Sequence, residues 1–318
     1  MKPASAHRQR HWAVDMEPMQ AIPGWDIRCL QISAGRPEGD SMDLYLDDLQ
    51  VLHEDFRNVT TNCVGNAPHA SITFGVARHM NGEGRLDGLP WGAGFSVFDS
   101  RRELNSIVPP VHLLSVVLSR ERLCEYLQET ERLDLERGLM QGALVVNDAS
   151  LADRMFGPLL KLLAAGFNPM VDINAKHLRR AIRHGVLELL APILADHFSA
   201  RQPKRQELGH LDVVRRARDY AHAQISCPLQ VIDLCRAVRV SRRTLQTSFQ
   251  EVLGISPLVY LRAMRLNGAR RMLLRGDQGM KVRDVVEAWG FWHLSRFSQN
   301  YRQMFGELPS QTLLGRRG

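Results

Sequence analysis

The sequence predicts an α+β protein: a β-rich N-terminal domain, barrel-like or sandwich-like, that ends in helices, followed by an all-α domain with two helix-turn-helix units. Three observations lead to this fold class. Short runs of β-branched and aromatic residues alternate with turn residues over 25–119. Apolar residues recur at helical spacing after residue 120. One helix, turn, helix pattern occurs twice between residues 231 and 309.

Composition is typical of soluble globular proteins, and charge separates the chain into two parts. The 318 residues are 44% hydrophobic and 24% charged, which is ordinary for about two domains. Residues 201–318 contain 21 Lys and Arg against 9 Asp and Glu, a net charge of +12, whereas residues 1–200 contain 20 against 25, a net charge of −5. A basic excess alone can serve solubility. Because it coincides with the doubled pattern, it favours binding to nucleic acid phosphates.

The cysteines and the N-terminal residues indicate in which cellular compartment the protein is expected. The five cysteines, at positions 29, 63, 124, 227 and 235, have no C-x-x-C spacing. We therefore expect reduced thiols in a cytoplasmic protein and no structural zinc site. No apolar stretch follows the basic residues 1–10, and no apolar run reaches membrane-spanning length. Neither a signal peptide nor a membrane contact is expected.

The order of segments predicts the domain boundaries. Residues 1–24 are polar and contain several prolines, which indicates a flexible arm. Residues 25–196 form the first domain, the polar tract 197–210 is a linker, and residues 211–318 form the second domain. The predicted strands cover 25–33, 42–56, 59–65, 71–78, 94–100 and 111–119, and the predicted amphipathic helices cover 123–128, 150–166 and 174–194.

The first copy of the doubled pattern covers residues 231–257. An apolar stripe that includes Leu234 and Cys235 ends in a turn, after which the Ser241 hydroxyl is suited to cap a new helix. Leu245 and Phe249 recur at helical spacing and are expected to be buried. The open face of this helix then carries side chains suited to contact DNA, namely Arg242, Arg243, Gln246, Thr247 and Gln250.

The second copy covers residues 282–309. Its first helix ends at Gly290, which can adopt the left-handed conformation. Phe297 and Tyr301 line the core side of the next helix, which Gly306 and Pro309 end. The outward side chains are Ser295, Arg296, Gln299 and Arg302. A single helix over 257–274 connects the two copies, and a second helix of such a unit fits the major groove of DNA.

A set of residues spread over both copies and the connecting helix follows a known pattern: Ser241, Leu245, Phe249, Gly254, Pro257, Arg265, Leu266, Gly290, Phe291, Phe297, Phe305, Gly306 and Pro309. It resembles the AraC/XylS family of bacterial transcription regulators. Arg239 departs from the family pattern, in which glycine is common at this turn. The resemblance implies a DNA-binding domain over 211–318 and an effector-binding and dimerisation domain over 25–196. It also implies promoter DNA and RNA polymerase as partners of a homodimer, and it favours an activator.

A second set of residues lies in both domains: Leu46 to Val51, Val117 to Ser119, Asp233 to Cys235, Val240 to Gln246, Arg265 to Asn267 and Trp289 to His293. It resembles the branch of the family that contains the ethanolamine-utilisation operon regulator. This narrower resemblance implies ethanolamine as the effector, adenosylcobalamin as a co-effector, and catabolic genes as the target. A sensor domain can keep its fold while its pocket changes.

By the family resemblance, outward side chains early in each second helix contact bases. In this sequence they are Arg243, Gln246, Thr247, Ser295, Arg296 and Gln299. Arginine can bind guanine, and glutamine adenine, through two hydrogen bonds. A phosphate contact or a free surface position is the alternative for each of them. Phosphate contacts or packing are expected for Arg242, Arg262, Arg270 and Arg271.

An ammonium-bearing effector would need a carboxylate or an aromatic face. The first domain offers Asp47, Asp48, Glu54, Trp25 and Trp91. Of these we predict Asp47, Asp48 and Trp91 as effector contacts. The competing interpretation is a solvated turn for the two aspartates and core packing for the tryptophan.

Enzymatic function is not predicted. Twelve histidines are present, but the H-x-H pairs of a metal site and the fingerprints of nucleotide-binding loops are absent. Two alternatives remain open: a DNA-repair protein with a methyl-accepting cysteine beside the same helix-turn-helix domain, and an architectural DNA-binding protein without an effector. The repair alternative needs an activated thiolate, and Cys29 and Cys63 are far apart in sequence.

Overall fold

The computed structural model describes residues 5–12, 22–133, 142–198, 205–224, 229–276 and 279–315. They fall into two compact units. The first unit comprises Met1–Cys29, Pro37–Arg57 and Cys63–Pro203, and the second comprises Leu30–Arg36, Asn58–Asn62 and Lys204–Gly318. Strands occupy the first part of the chain and helices the rest, so the mixed α+β class predicted from the sequence is confirmed.

Two sheets contain the described strands. One sheet has seven strands in the order β1-β3-β4-β11-β6-β9-β12, and the other has five in the order β2-β5-β10-β7-β8. The strands are β1 (Ser5–Trp12), β2 (Asp26–Gln31), β3 (Glu38–Leu46), β4 (Leu49–Arg57), β5 (Thr61–Asn66), β6 (Ser71–Arg78), β7 (Gly84–Leu86), β8 (Leu89–Trp91), β9 (Gly94–Asp99), β10 (Leu104–Val108), β11 (Val111–Ser119) and β12 (Leu144–Val146).

Alternation along the strands gives the seven-stranded sheet two different faces, because successive side chains point to opposite sides. One face is mostly apolar and belongs to the main core, with residues such as Val51, Phe74 and Val116. The other face holds small and polar residues at the intervening positions, among them Glu54, Gly75, Ser96 and Ser115, which are all lining residues of a cavity.

Three helices of the first unit cover the apolar face of this sheet: α1 (Arg120–Thr130), α2 (Ala149–Ala165) and α3 (Lys176–Phe198). The α2 helix begins at Asp148, whose carboxylate accepts hydrogen bonds from the backbone N–H groups of Ser150 (2.9 Å) and Leu151 (3.1 Å). Met155, Leu159 and other apolar residues of α2 are buried against the sheet. The helices therefore seal one side of the sheet and leave its other side for the cavity.

Two sequence-based boundaries were wrong. Residues 5–12, expected within a flexible arm, form strand β1, which pairs antiparallel with β3 from Ser5 opposite Leu46 to Trp12 opposite Gly39. A polar segment with alternating character is suited to a sheet edge, where charged side chains discourage further pairing. The predicted linker 197–210 is shorter, because α3 continues to Phe198 and the next helix starts at Arg205.

The second unit contains seven of the described helices. They are α4 (Arg205–Ala223), α5 (Val231–Val238), α6 (Arg242–Leu253), α7 (Pro257–Arg275), α8 (Val282–Ala288), α9 (Leu294–Phe305) and α10 (Pro309–Leu314). A core that includes Leu266, Val285, Phe297, Tyr301 and Phe305 joins α7, α8 and α9. In the part of the chain that the model describes, no helix is long and apolar enough to cross a bilayer.

Candidate functional site

The pair formed by α5 and α6 presents a polar helix face. Ser241 precedes α6, and its hydroxyl accepts a hydrogen bond from the backbone N–H of Thr244 at 3.1 Å, as the sequence predicted. Leu245 and Phe249 are fully buried. Because these residues fix the inner side of α6, the opposite side is exposed, and it carries Arg242, Arg243, Gln246 and Thr247.

The pair formed by α8 and α9 repeats this arrangement. Gly290 lies between the helices with a φ of 67°, in the left-handed region. Phe297 is buried, and its ring centroid lies 4.8 Å from that of Phe291. Ser295, Arg296 and Gln299 are exposed on the outer side of α9. The outward positions predicted from the sequence are thus at the surface in both pairs.

A basic groove lies between the two helix pairs. Its volume is about 520 Å³, and residues of α5, α6, α7 and α9 line it. Four of the lining side chains are arginines: Arg242, Arg262, Arg265 and Arg296. Burial lowers the pKa of Arg265, which donates a hydrogen bond to the carbonyl oxygen of Leu229. The groove is suited to bind polyanions through the remaining three arginines.

Trp292 and His293 occupy the turn before α9. Trp292 is 84% exposed beside the basic groove. His293 stands at the N-cap of α9 without a side-chain capping hydrogen bond. The Trp292 indole therefore offers a large exposed contact area beside the basic groove.

Arg270 lies inside the unit. Its side chain is 5% exposed and pairs with the Glu307 carboxylate at 3.0 Å. The guanidinium carbon also lies 4.6 Å from the centroid of the Phe305 ring. The sequence left phosphate binding and packing open for Arg270, and the structure decides for packing.

Comparison with known proteins places the second unit in a family. The model of the helix-turn-helix domain family matches residues 234–314. XylDLEGF operon transcriptional activator 2 of Pseudomonas putida is 31% identical over 127 residues, which are 40% of this chain and 81% of that protein. The chain belongs to the AraC/XylS family of transcription regulators.

Two further relatives match about a third of this AraC/XylS protein. The "Probable thc operon regulatory protein" of Rhodococcus erythropolis is 42% identical over 125 residues, 38% of this chain and 37% of that protein. A solved AraC-type transcriptional regulator from Chromobacterium violaceum is 31% identical, covering 34% of this chain and 96% of that chain, with a TM-score of 0.32. The match thus spans little more than a third of the thc operon protein.

The first unit of this AraC/XylS regulator contains a cavity of about 70 Å³. Its walls are mostly apolar and include the aromatic residues Trp25, Phe56, Trp91 and Phe98. Polar groups reach it from Glu54 and from three serines, Ser96, Ser106 and Ser115. A small apolar cavity with a few converging polar groups is typical of ligand sites in proteins.

Glu54 is the one carboxylate among the residues that line this cavity. It is buried, and no hydrogen bond or ion pair to it is present among the residues that the structure describes. Burial and then the Asp43 carboxylate raise the pKa of Glu54 to about 7, although Arg10 acts in the opposite direction. The cavity therefore contains a carboxylate without a partner.

Trp91 lines the same cavity, as the sequence-based effector prediction requires, and is 5% exposed. Within the described residues its indole Nε1 has no hydrogen-bond partner. A buried indole N–H generally has an acceptor. Of the two residues, Glu54 supplies the acceptor that a bound cation can use.

Asp47 and Asp48 lie elsewhere, in the turn between β3 and β4. Asp47 binds Arg179 at 2.8 Å and Arg183 at 3.3 Å. Asp48 binds Arg183 at 2.8 Å and Arg122 at 2.9 Å. These ion pairs connect the turn to α1 and α3, and neither aspartate lines the cavity. Their predicted contact with an effector stays a prediction, and our proposals below use Glu54.

The sequence contained a pattern that could have selected Glu54. Leu52 and Phe56 flank it at alternate positions of β4, and all three line the cavity. A charged residue between two apolar residues on the same strand face is a candidate for burial. The prediction of a single strand over 42–56 obscures this pattern, because the turn at Asp47 and Asp48 separates β3 from β4.

Cys29 and Cys63, which are far apart in sequence, are neighbours in the fold. Their Sγ atoms are 2.7 Å apart, and both residues are buried. The hydrogen bond to Cys63 and burial raise the pKa of the Cys29 thiol well above its usual value. The raised pKa of Cys29 is the opposite of the lowered pKa that an activated thiolate needs. In the described part of the chain, no group of three or more potential metal ligands is present.

Proposed function

We propose that this AraC/XylS protein is a promoter-specific activator of catabolic genes that responds to a small organic effector. The observation that carries the proposal is the pair of exposed polar helix faces, on α6 and α9, beside one groove lined by arginines. Two helix-turn-helix units in one chain provide two recognition helices, which suits contact with successive major grooves. The relatives named as operon activators support activation rather than repression.

Direct base contact by Arg243, Gln246, Thr247, Ser295, Arg296 and Gln299 is part of this proposal. Their exposure on the outer faces of α6 and α9 supports it. We assign Arg242, together with Arg262, to phosphates, because both line the basic groove.

A selection of bound duplexes from a random library tests sequence-specific binding. The wild-type protein should enrich one motif, and fluorescence anisotropy then gives its affinity. We expect Arg243→Ala to relax the preference at a single base position, at a cost of about 1 to 3 kcal/mol. Arg154→Ala, at an exposed position of α2 in the first unit, is the control and should leave the motif unchanged. A uniform loss on all sequences would assign Arg243 to a phosphate, and failure to enrich any motif would reject the proposal.

Ethanolamine is the first effector to test, with and without adenosylcobalamin. A ligand that binds the folded state raises the free energy of unfolding by about 2.7 kcal/mol at a hundred times its Kd. A cavity of about 70 Å³ does not accommodate a corrinoid, so we derive no step through adenosylcobalamin at this site. Thermal denaturation of the whole chain with each compound, alone and combined, measures the effect. Equal melting temperatures in all samples would remove both compounds from the proposal.

Cytoplasmic location, homodimerisation and recruitment of RNA polymerase complete the proposed function. Sedimentation of the purified protein with and without promoter DNA tests the dimer. Transcription with purified polymerase tests recruitment and its sign. A monomer on DNA, or repression in this assay, would change these parts of the proposal without affecting DNA recognition.

DNA repair is the second candidate function, since the Cys29 and Cys63 thiols are close together. The raised pKa of Cys29 and the burial of both thiols favour the regulator. Incubation with methylated DNA followed by mass spectrometry would detect methyl transfer to either cysteine. An architectural protein, the third candidate, would bend DNA without enriching a motif in the selection above.

A further inference from the structure

We propose that the cavity of the first unit binds a small primary amine with a short apolar chain as its ammonium cation, which pairs with the Glu54 carboxylate. The inference rests on the proposed function, because it specifies the chemical class of the effector. It is carried by the geometry of the cavity: a carboxylate without a partner, surrounded by apolar and aromatic walls.

Two buried carboxylates on neighbouring strands differ in their partners. Asp43 on β3 is fully buried, and its Oδ1 pairs with the guanidinium of Arg10 on β1. Glu54 on β4 has no such cation among the described residues. A buried carboxylate without a cation is costly. The fold thus provides the counterion for Asp43 and leaves the counterion of Glu54 to a ligand.

Among the described residues one cation, Arg10, acts on Glu54, but its ion pair is with Asp43. In the large sheet Glu54 lies opposite Ser41 of β3 and Leu113 of β11. From the other sheet, Cys29 of β2 acts on it electrostatically, and Cys63 of β5 lines the cavity. The charged groups that influence Glu54 are Asp43 and Arg10, and Arg10 already pairs with Asp43.

The residues that line the cavity indicate what the rest of the ligand is, apart from its cationic nitrogen. Rings of Trp25, Phe56, Trp91 and Phe98 line the cavity, and aromatic faces attract cations. Trp25 is held by its Nε1, which donates to Gln50 Oε1 at 3.0 Å. Aliphatic side chains such as Leu52, Leu86 and Leu113 complete the lining. A ligand with an apolar chain and one cationic nitrogen matches this distribution.

The volume limits the ligand to a few atoms. A water-sized group occupies about 10 to 15 Å³ when volume is measured this way, so a cavity of about 70 Å³ admits roughly five to seven non-hydrogen atoms. Isobutylamine, with a branched four-carbon body, is a suitable probe. Isobutanol has nearly the same shape without charge, and isobutyrate carries the opposite charge.

The protonation state of Glu54 provides an independent measurement of amine binding. Because burial raises the pKa of Glu54 to about 7, Glu54 is about half protonated at pH 7, whereas an aliphatic amine stays charged up to about pH 10. Binding of the cation shifts Glu54 to its carboxylate form, and the proton goes to the buffer. The apparent Kd should therefore increase up to about tenfold per pH unit below 7.

Isothermal titration calorimetry of the full chain tests the proposal with isobutylamine, isobutanol, isobutyrate and ethanolamine. We expect isobutylamine to bind at least tenfold more tightly than isobutanol, and isobutyrate not to bind. Titrations at pH 7 in two buffers of different ionisation enthalpy should show release of about half a proton per amine bound. Equal binding of amine and alcohol, preference for the anion, or no binding of any probe would overturn the proposal.

Two variants test whether Glu54 causes the preference for the amine and the proton release. Glu54→Gln keeps the side-chain volume and should abolish both the preference for the amine and the proton release. Glu121→Gln changes an exposed glutamate of α1 and should bind like the wild type. Since the wild-type comparison of the four probes needs no variant, misfolding of Glu54→Gln would leave the test valid. Proton release that persists in a folded Glu54→Gln protein would overturn the role of Glu54.

Failure of this inference is distinguishable from failure of the proposed function. The same protein samples are assayed for DNA binding by anisotropy with the selected motif. DNA binding without amine binding rejects the amine and leaves the regulator. Amine binding that does not change DNA affinity or transcription retains the ligand site and rejects its role as an effector site.

Discussion

Arg239 is a single residue at which the chain departs from the family pattern and adopts an unfavourable conformation. It ends α5 with a φ of 57°, in the left-handed region, where glycine is common in the family. A side chain in this conformation costs about 1 to 2 kcal/mol. The exposed Arg239 side chain has little packing that could offset this cost.

We therefore expect Arg239→Gly to raise the free energy of unfolding by about 1 kcal/mol. Urea denaturation of the purified protein measures the change. Arg239→Ala is the matched control, because it removes the charge but retains a Cβ in the left-handed region. If alanine stabilised the protein as much as glycine, charge rather than backbone strain would be the cause.

Glu54 makes the stability of the first unit depend on pH. Its pKa is raised to about 7 in the folded state from an ordinary value of 4.5. A raised carboxyl pKa favours folding below the unfolded pKa, and this contribution is lost as pH rises through the folded pKa. Between about pH 4.5 and 8, the Glu54 contribution should fall by about 3 kcal/mol at most.

Glu54→Gln removes this dependence, so we expect the variant to gain stability relative to wild type as pH rises. Denaturation of both proteins at pH 5 and pH 8 gives the difference, in which the other titrating groups cancel. A difference that stays constant between the two pH values would show that Glu54 titrates normally.

Contact between α7 and the end of α8 depends on a glycine. A Cβ at Gly268 would lie 1.9 Å from the Trp289 ring, which is far inside van der Waals contact. The indole thus packs directly on the backbone of α7 and places α8 against it. This contact fixes the start of the turn that leads into α9.

Gly268→Ala should destabilise the second unit by about 2 kcal/mol or more, as overpacking of a core generally does. Gly185→Ala in α3 is the control, because its Cβ would meet nothing within 4 Å, and it should stabilise by about 0.5 to 1 kcal/mol. Thermal unfolding gives both values. A partial rescue of Gly268→Ala by Trp289→Leu would confirm the ring as the cause, whereas an additive loss would contradict it.

The predicted strand over 42–56 is interrupted by a turn at Asp47 and Asp48, which the sequence offered only as the alternative to effector contact. Residues 42–56 read as one strand, but they contain the end of β3 and nearly all of β4. Asp47 has a φ of 55°, and aspartate tolerates this conformation. Two aspartates between apolar runs are a turn pattern, and their ion pairs with Arg179, Arg183 and Arg122 depend on helices distant in sequence.

The whole chain divides its charge between acidic and basic halves, with +12 on residues 201–318. The two phosphate contacts assigned to Arg242 and Arg262 in the basic groove would give a slope of about −2 or steeper for log K against log salt. Anisotropy with a non-specific duplex between 50 and 300 mM salt, values chosen around physiological ionic strength, measures this slope. A slope near zero would contradict binding through the groove.

Substitution of a groove arginine sharpens this measurement. Arg262→Gln should make the slope shallower by about one, because one phosphate contact is lost. Arg154→Gln, which removes the same charge from an exposed position of the first unit, should leave the slope unchanged. Equal effects of the two variants would assign the salt dependence to net charge.

The sequence by itself determined the features that depend on short-range order. Ser241 as a cap, Gly290 in the left-handed region and the burial of Phe249 and Phe297 follow from helical periodicity and local backbone preference. These signals lie within a few residues of one another, so the exposed side of α6 and α9 could be predicted.

Only the tertiary structure decided which residues meet across the sheets. Strand pairing joins residues far apart in sequence, and a shift of one residue moves every side chain to the other face. The position of Glu54 in the cavity and the proximity of Cys29 to Cys63 therefore followed from strand pairing and register. Local preferences do not encode register, because it is set by the simultaneous burial of both faces.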